Sequence, residues 1–520
     1  MCKKLLLFIS FISFQIANAQ NEFITIWKPG ITSTPVVSVN APFQANSNQI
    51  WFPGTGQNYT IRWEEIGFPQ HFGVMENVTS TGQILIDFGT PSKEDGANTS
   101  YRVKVSNGNG IFQQIKFATY QILGNGDALL PLLQMQGSAD KLLMIEQWGN
   151  IEWISMSSAF ANCQRVDITA IDSPNLSQVT DASLMFYRAN SFSGGSFMQN
   201  WDTSTIQNFS FMFALQHIGQ VYSPDLINFN PPNLNNWDVS SATNLSFMFA
   251  GRGAFNQNIN SWNVANVKNT AWMFTACGSY NQPLNSWNTS NFENINNMFS
   301  VTALFNQPLD NWDTSKVTNM NGTFSSSQTF NQPLEIWDVS RVKKMGSMFG
   351  NAQSFNQSLG NWDLSSLESA GGIFTSSGIN CENYSKTLKG WAENPNTPDN
   401  VSLTNLLPMQ YAANVASKRD ILISKGWTFS GDVLGSCVLK INETAFSNHV
   451  NIYPNPASDI LYIKNAKDVK SFIITDFSGR IVLKNNLVKD FINIQSLSTG
   501  NYILQLITTK NIENFKFIKQ

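Results

Sequence analysis

The chain has 520 residues, a length that predicts several domains. Only 13% of its residues are charged and its formal net charge is −3, so it lacks both the basic footprint of a nucleic-acid-binding protein and a polybasic membrane patch. Its polarity comes instead from Asn, Ser, Thr and Gln, a composition common on extracellular surfaces.

Residues 1–19 have the three parts of a secretory signal peptide. Lys3 and Lys4 form the positive start, residues 5–16 form an apolar run, and the tripeptide Ala-Asn-Ala at 17–19 is a small-residue cleavage site. The apolar run is too short to span a bilayer, and no later stretch is apolar enough to do so. The sequence therefore predicts an exported protein without a membrane-spanning segment.

Residues 20–120 alternate apolar and polar side chains in short runs. The clearest runs are 59–63, 84–88 and 101–105, and turn-forming Asn-Gly and Pro-Gly pairs separate them. This alternation predicts an N-terminal β-sandwich domain.

A 25-residue period runs through residues 255–374. Its first position is aromatic: Phe255, Tyr280, Phe305, Phe330 and Phe355. The residue seven places on is always tryptophan: Trp262, Trp287, Trp312, Trp337 and Trp362. The residue nineteen places on is again aromatic: Phe274, Phe299, Phe324, Phe349 and Phe374. Such a period is typical of a solenoid, so we expect one of about nine coils, with an N-terminal cap, over residues 121–380.

Two columns of this pattern admit more than one interpretation. The tryptophans could stack on sugars, but one large apolar residue per coil favours a buried ladder. Trp272 falls outside the register and is the better candidate for exposure. An acidic or amide residue follows each tryptophan, which could bind calcium but is also ordinary turn chemistry, and we favour the turn. These residues are Asp202, Asp238, Asn263, Asn288, Asp313, Asp338 and Asp363.

One irregular interval contains an insertion at about residues 217–232. Insertions in repeat proteins often map to the binding face, which makes Tyr222, Leu226, Ile227 and Phe229 a candidate binding loop. The alternative is that the loop folds back over the edge of its own coil.

The pattern changes again after the repeats. Residues 381–442 contain helical periodicity and are expected to cap the last coil. Cys381 and Cys437 bracket this segment, and an oxidising compartment permits a disulfide between them. Residues 443–520 return to strand-like alternation and predict a second small β-sandwich.

No catalytic, cofactor or metal motif is present in the sequence. The chain contains only three histidines, His71, His217 and His449, far apart, and it lacks HExxH, GxSxG, P-loop and EF-hand patterns. We therefore predict no catalytic residues, no cofactor and no metal, and a protein that is not an enzyme.

Two segments resemble known families. The sequence FNQPLDNWDTSKVTNMNGTF at 305–324, with its copy at 330–349, resembles the repeat of BspA-like leucine-rich repeat surface proteins. That resemblance implies an elongated surface protein of leucine-rich-repeat type, often linked to adhesion. The tail at 448–520, with YPNPASD at 453–459, resembles a type A sorting domain of the type IX secretion system. That resemblance implies export through the outer membrane of a Gram-negative bacterium.

These features leave three function classes open. The first is a monomeric, secreted or surface-held protein that binds an extracellular protein or glycan and uses its tail to engage the type IX machinery. The second is a passive spacer or coat component. The third is a polysaccharide-active enzyme, because the carboxylate pair of a glycosidase has no fixed spacing. The fold class expected in each case is a leucine-rich-repeat solenoid with short strands, flanked by β-sandwich domains.

Overall fold

The computed structural model describes residues 21–31, 45–93, 96–123, 130–195, 197–215, 229–406, 409–439, 451–464, 466, 469–476, 479–486, 490–508 and 512–520. The chain divides into two compact units, Met1–Leu439 and Lys440–Gln520. The signal peptide expected at residues 1–19 lies outside the described residues. Within the described ranges, no helix is long and apolar enough to cross a membrane.

The N-terminal part of the first unit is built from strands. They are β1 (Phe23–Trp27), β2 (Gln49–Phe52), β3 (Gly54–Glu65), β4 (Phe68–Ser80), β5 (Ile84–Asp87), β6 (Tyr101–Ser106), β7 (Ile111–Ile115), β8 (Ala118–Leu123), β9 (Leu130–Met135), β10 (Leu142–Gln147) and β11 (Asp167–Ile168). Seven strands form one sheet in the order β11-β10-β1-β6-β3-β4, in which β7 also pairs with β3. β2 pairs with β5, and β8 with β9, as separate two-stranded sheets.

Strand β6 shows why these segments are extended. Its Tyr101, Val103 and Val105 are buried, whereas the residues between them face outward, as the two-residue period of a strand requires. On the outer face, Arg102 binds Glu64 of β3 at 3.0 Å and Glu146 of β10 at 2.6 Å. The sheet therefore has one apolar face and one face crossed by ion pairs.

The repeats that follow satisfy their backbone in two alternating ways. Within one unit, the N–H groups of Trp272, Phe274 and Ala276 donate to carbonyls of the next unit at 2.8, 3.0 and 2.8 Å. The N–H groups of the intervening residues instead close tight turns, as from Met273 to the carbonyl of Thr270 at 3.1 Å. Alternate backbone N–H groups thus link neighbouring units, and the N–H groups between them form hydrogen bonds within their own unit.

Aromatic side chains stack between these units at the 25-residue spacing. Trp312 and Trp337 lie 6.1 Å apart with parallel rings, and Phe299 and Phe324 lie 5.6 Å apart. Each indole N–H also donates to a backbone carbonyl of the preceding unit, as from Trp312 to Leu284 at 3.1 Å. Tryptophan is required at this position because it fills the core and supplies that donor.

The expected leucine-rich-repeat solenoid is wrong, and so is the expected N-terminal β-sandwich. The described strands form separate sheets, and the described residues between β11 and residue 401 contain no strand. The β-bridges between the described units are single and parallel, such as that of Asn269 with Asn294. The physical reason is backbone conformation, because most units place two residues, such as Trp272 and Ala276, at positive φ. The N-terminal strands form no separate sandwich either, because one continuous core runs from Phe23 to Leu439.

Helices α1 (Cys381–Glu393) and α2 (Ala416–Ser424) follow the last repeat. They accompany two short parallel strand pairs, β12 (Ser402–Leu403) with β14 (Thr428–Phe429) and β13 (Gln410–Tyr411) with β15 (Val433–Leu434). Helix α1 packs closely against the last repeat at Gly390. A Cβ at this position would clash with the backbone of Gly360, so only glycine allows this approach. Trp391 of α1 donates its indole N–H to the carbonyl of Leu359 at 2.9 Å, which repeats the contact made by the tryptophans before it.

The second unit contains two antiparallel sheets around one small core. The first holds β16 (Asn451–Tyr453), β17 (Ile460–Lys464) and β20 (Phe491–Asn493). The second holds β18 (Val469–Asp476), β19 (Ile481–Asn486), β21 (Gly500–Thr508) and β22 (Ile512–Lys519). Leu461 of one sheet and Ile474 and Leu504 of the other are fully buried in the same core.

The tryptophan contact makes a direct prediction for stability. Trp312→Ala should lower the free energy of unfolding by about 3 to 5 kcal/mol, because it empties a large buried site. Trp312→Phe should cost about 1 to 3 kcal/mol, because it keeps a stacked ring but removes one of the two donors to the buried Leu284 carbonyl, the other being the backbone N–H of Trp287. The exposed Lys316→Ala is the control, with a change below about 0.5 kcal/mol in denaturant titrations. Equal unfolding midpoints for all three variants would contradict the conclusion that the tryptophans form a buried ladder that stabilises the repeats.

Replacing Tyr280, by contrast, should increase stability. Its hydroxyl is buried without a partner among the described residues, and burial raises its pKa well above the usual value. The unfolded chain therefore loses a proton above about pH 10 that the folded chain keeps, and stability falls as the pH rises. Tyr280→Phe should raise the melting temperature, and the gain should widen above that pH.

Tyr384→Phe is the matched control for this prediction, because the Tyr384 hydroxyl donates to Asp432 at 3.2 Å. It should lower the melting temperature at neutral pH. A loss of stability in Tyr280→Phe equal to that of Tyr384→Phe would show that the Tyr280 hydroxyl is satisfied.

Candidate functional site

The structure divides the predicted binding loop into two parts. Tyr222, Leu226 and Ile227 lie outside the described residues. Phe229 is fully buried, 4.7 Å from the ring of Phe213. The structure therefore places Phe229 in the core between repeats rather than on a binding surface.

A buried arginine lies beside Phe229. Arg252 is fully buried, with its guanidinium 4.7 Å from the Phe229 ring. It donates to the carbonyls of Phe213 at 2.6 Å and Ala189 at 3.1 Å, two successive units back. Burial lowers its pKa to about 9, so it stays charged at neutral pH. Later units carry Cys277, Thr302, Ser327 and Ala352 at the same position, so none of them repeats this arginine.

The polar residues after the tryptophans form turns. Asp313 accepts the backbone N–H of Ser315 at 3.0 Å, and Asn288 accepts that of Ser290 at 3.2 Å in the same way. A neutral amide and a carboxylate are thus interchangeable here, as turn chemistry predicts. The described residues contain no cluster of three or more His, Cys, Asp or Glu side chains that could hold a metal ion.

The cysteines occupy two kinds of environment. Cys381, at the start of α1, is joined to Cys437 by a disulfide. Cys163 and Cys277 are free and buried, and burial raises the pKa of both thiols. A buried thiol of raised pKa is a poor nucleophile.

Sequence reasoning missed a buried carboxylate–histidine pair in the N-terminal sheet. Glu65 accepts from His71 Nδ1 at 2.5 Å and from the backbone N–H groups of Ser92 and Lys93 at 2.9 and 3.1 Å. Burial by itself would raise the pKa of Glu65, but these hydrogen bonds outweigh it and the pKa lies below its usual range. The pair therefore ties the β3–β4 turn to residues 92–93.

A polar cleft of about 480 Å³ lies between the last repeats and α1. Its lining includes Glu335, Gln357, Asn361, Lys386 and Lys389. Its two lysines are paired with acidic residues of α1, Glu382 at 2.8 Å and Glu393 at 2.7 Å. The cleft therefore offers amides and neutralised charges rather than an excess of either sign.

A column of residues in the left-handed backbone region runs along the repeats. This left-handed column consists of Ser158, Leu184, Phe211, Phe247, Trp272, Asn297, Gly322, Ser347 and Gly372, with φ between 51° and 69°. The rings of Phe211 and Phe247 lie 4.2 Å apart, and those of Phe247 and Trp272 lie 5.5 Å apart. Phe211 and Phe247 are buried, whereas Trp272 is partly exposed.

The YPNPASD segment of the tail holds the last strand of the second unit. The Asn455 side chain accepts the N–H of Ile518 at 2.9 Å and donates to the carbonyl of Lys516 at 3.1 Å. Ala457 is fully buried and forms a parallel bridge with Lys519. The motif is therefore part of the structure of this unit.

Comparisons with known families identify both regions. Residues 154–230, 217–303 and 281–391 match the family described as Mycoplasma protein of unknown function, DUF285. Residues 451–520 match the secretion system C-terminal sorting domain. No curated protein matches the chain.

Three overlapping segments thus match DUF285 repeat-type domains, and the tail matches a type IX sorting domain. The sorting domain indicates a secreted or cell-surface protein that is handled by the type IX secretion system. Neither match assigns the repeats to the BspA-like family or to leucine-rich repeats.

Proposed function

We propose that this chain is a non-catalytic binding or adhesion protein on the outer surface of a Gram-negative bacterium. The observation that carries the proposal is the pairing of repeats with a sorting domain in one chain. A tail handled by the type IX machinery delivers the repeats to the outside, where they can meet an extracellular protein or glycan.

The surface of the repeats supports a role in binding. Each unit presents the same uncharged amides in register, as where Asn306 receives the N–H of Asn331 at 2.9 Å and Asn331 receives that of Asn356 at 2.8 Å. A surface repeated many times can engage a repeating ligand at several points, which raises avidity without a deep pocket. The resemblance of residues 305–324 to BspA-like repeats agrees with surface display.

Delivery and attachment can be tested in one experiment on intact cells. Deleting residues 448–520 should retain the protein in the periplasm and abolish both surface labelling by antibody and attachment of the cells to immobilised extracellular proteins or glycans. Asn455→Ala should weaken surface delivery, because it removes two hydrogen bonds to β22. The exposed Asn514→Ala is the control and should leave delivery unchanged.

The two readouts separate the alternatives. Normal surface labelling of the tail-deleted chain would contradict the export route. Surface labelling of the full chain without any gain in attachment over cells that lack it would favour a passive spacer or coat component.

A further inference from the structure

We propose that Trp272 and Asn296 form a binding site for a neutral sugar ring of a polysaccharide. The inference rests on the proposed binding function and deepens it by naming a ligand class and a site. Four features of the described residues support it: backbone conformation, a partly exposed aromatic ring, an unpartnered amide and local charge.

The turn itself does not need an aromatic residue at position 272. Asn297, Gly322, Ser347 and Gly372 make the same turn in later units with short side chains or none. A bulky side chain at positive φ is unfavourable, whereas Gly and Asn tolerate it. Trp272 follows Phe211 and Phe247 in this column and is its last aromatic residue, in a conformation that the later units reach with short side chains. Bulky residues in such conformations concentrate at functional sites.

Only one face of the Trp272 indole is covered by an aromatic ring. Phe247 stacks on it at 5.5 Å with an interplanar angle of 5°. On the other side, the next residue of the left-handed column is Asn297, whose amide lies against Gly322 of the following unit and so leans away from Trp272. Trp272 stays partly exposed, whereas Trp312 of the tryptophan ladder is only 5% exposed.

An unpartnered amide belongs to the residue that accepts the backbone N–H of Trp272. The backbone N–H of Trp272 donates to the carbonyl of Asn296 at 2.8 Å, which fixes the two residues side by side. Asn296 is 1% exposed, yet neither atom of its side-chain amide has a partner among the described residues. In the next unit, by contrast, Asn321 accepts the N–H of Gly346 at 2.6 Å. Asn296 therefore keeps a donor and an acceptor that a ligand hydroxyl would satisfy.

The charge around this site favours a neutral ligand. Between Lys268 and Asp310 the only charged residue of the sequence is Glu293, and its carboxylate pairs with Lys268 at 3.3 Å. A phosphate or an acidic polysaccharide would find no unpaired cation in this stretch. A flat aromatic face beside amide groups instead matches a pyranose ring, which has an apolar face and peripheral hydroxyls.

Affinity electrophoresis of the secreted protein tests this site. Gels containing laminarin, xylan, mannan or hydroxyethylcellulose should retard it in at least one case, and gels containing the acidic polysaccharide alginate should not. Trp272→Asn, which installs the side chain of the next unit, should weaken retardation by about tenfold or more. Trp272→Tyr should keep part of it. Ile336→Ala is the control, because Ile336 is 63% exposed and lies outside the left-handed column.

Asn296→Ser separates a ligand-binding role from a structural one. Serine occupies the equivalent position at Ser246, and the substitution removes an unpartnered buried amide. It should weaken retardation without lowering the melting temperature. A loss of melting temperature with unchanged retardation would assign Asn296 to the fold and contradict the proposal.

Three outcomes would overturn the inference: no retardation by any neutral polysaccharide, retardation by alginate alone, or equal retardation of the parent and Trp272→Asn. If cells bearing the protein still attach to immobilised proteins in any of these cases, the sugar site fails while the proposed binding function stands. If attachment is absent as well, both fail.

Discussion

The hydrogen bond from each tryptophan to the preceding unit is the constraint on which the repeats depend. From Trp262 to Trp362, every indole N–H donates to the carbonyl 28 residues earlier, at 2.8 to 3.1 Å. Each of these carbonyls also accepts the backbone N–H three residues further on, so the group that a shift would leave unpaired is the buried indole N–H. An unpaired buried donor is costly, so neither the ring nor its position along the chain can change freely. The stacked phenylalanines and the asparagine contacts follow the same 25-residue register.

This register explains where the chain can vary. Most buried side chains of the repeats are aromatic, aliphatic or small. Arg252 departs from this rule: it lies against the Phe229 ring and donates to carbonyls of the two preceding units. The left-handed column lies at the edge of the stack and accepts residues as different as Gly322 and Trp272. Specific binding is therefore expected at positions such as Trp272, where a unit departs from its neighbours without disturbing the ladder.

Much of this organisation could be predicted from the sequence, because the period exposes it. The burial of Trp312 and the turn at Asp313 follow from spacing and turn chemistry alone. The prediction of short strands in the repeats was wrong, because the spacing of apolar residues does not reveal that Trp272 and Ala276 have positive φ. The burial of Phe229 and the contact between Glu65 and His71 were equally hidden, since both depend on packing between distant segments.

The register can be tested most directly by shortening the chain. Deleting residues 306–330 removes one whole period and should join Phe305 to Asn331 in register, so that the protein still unfolds cooperatively near the temperature of the parent. Deleting residues 306–317 removes half a period and the tryptophan of that unit, and the unfolding temperature should fall sharply. Similar unfolding temperatures for the two deletions would contradict the claim that the 25-residue contact between units holds this structure together.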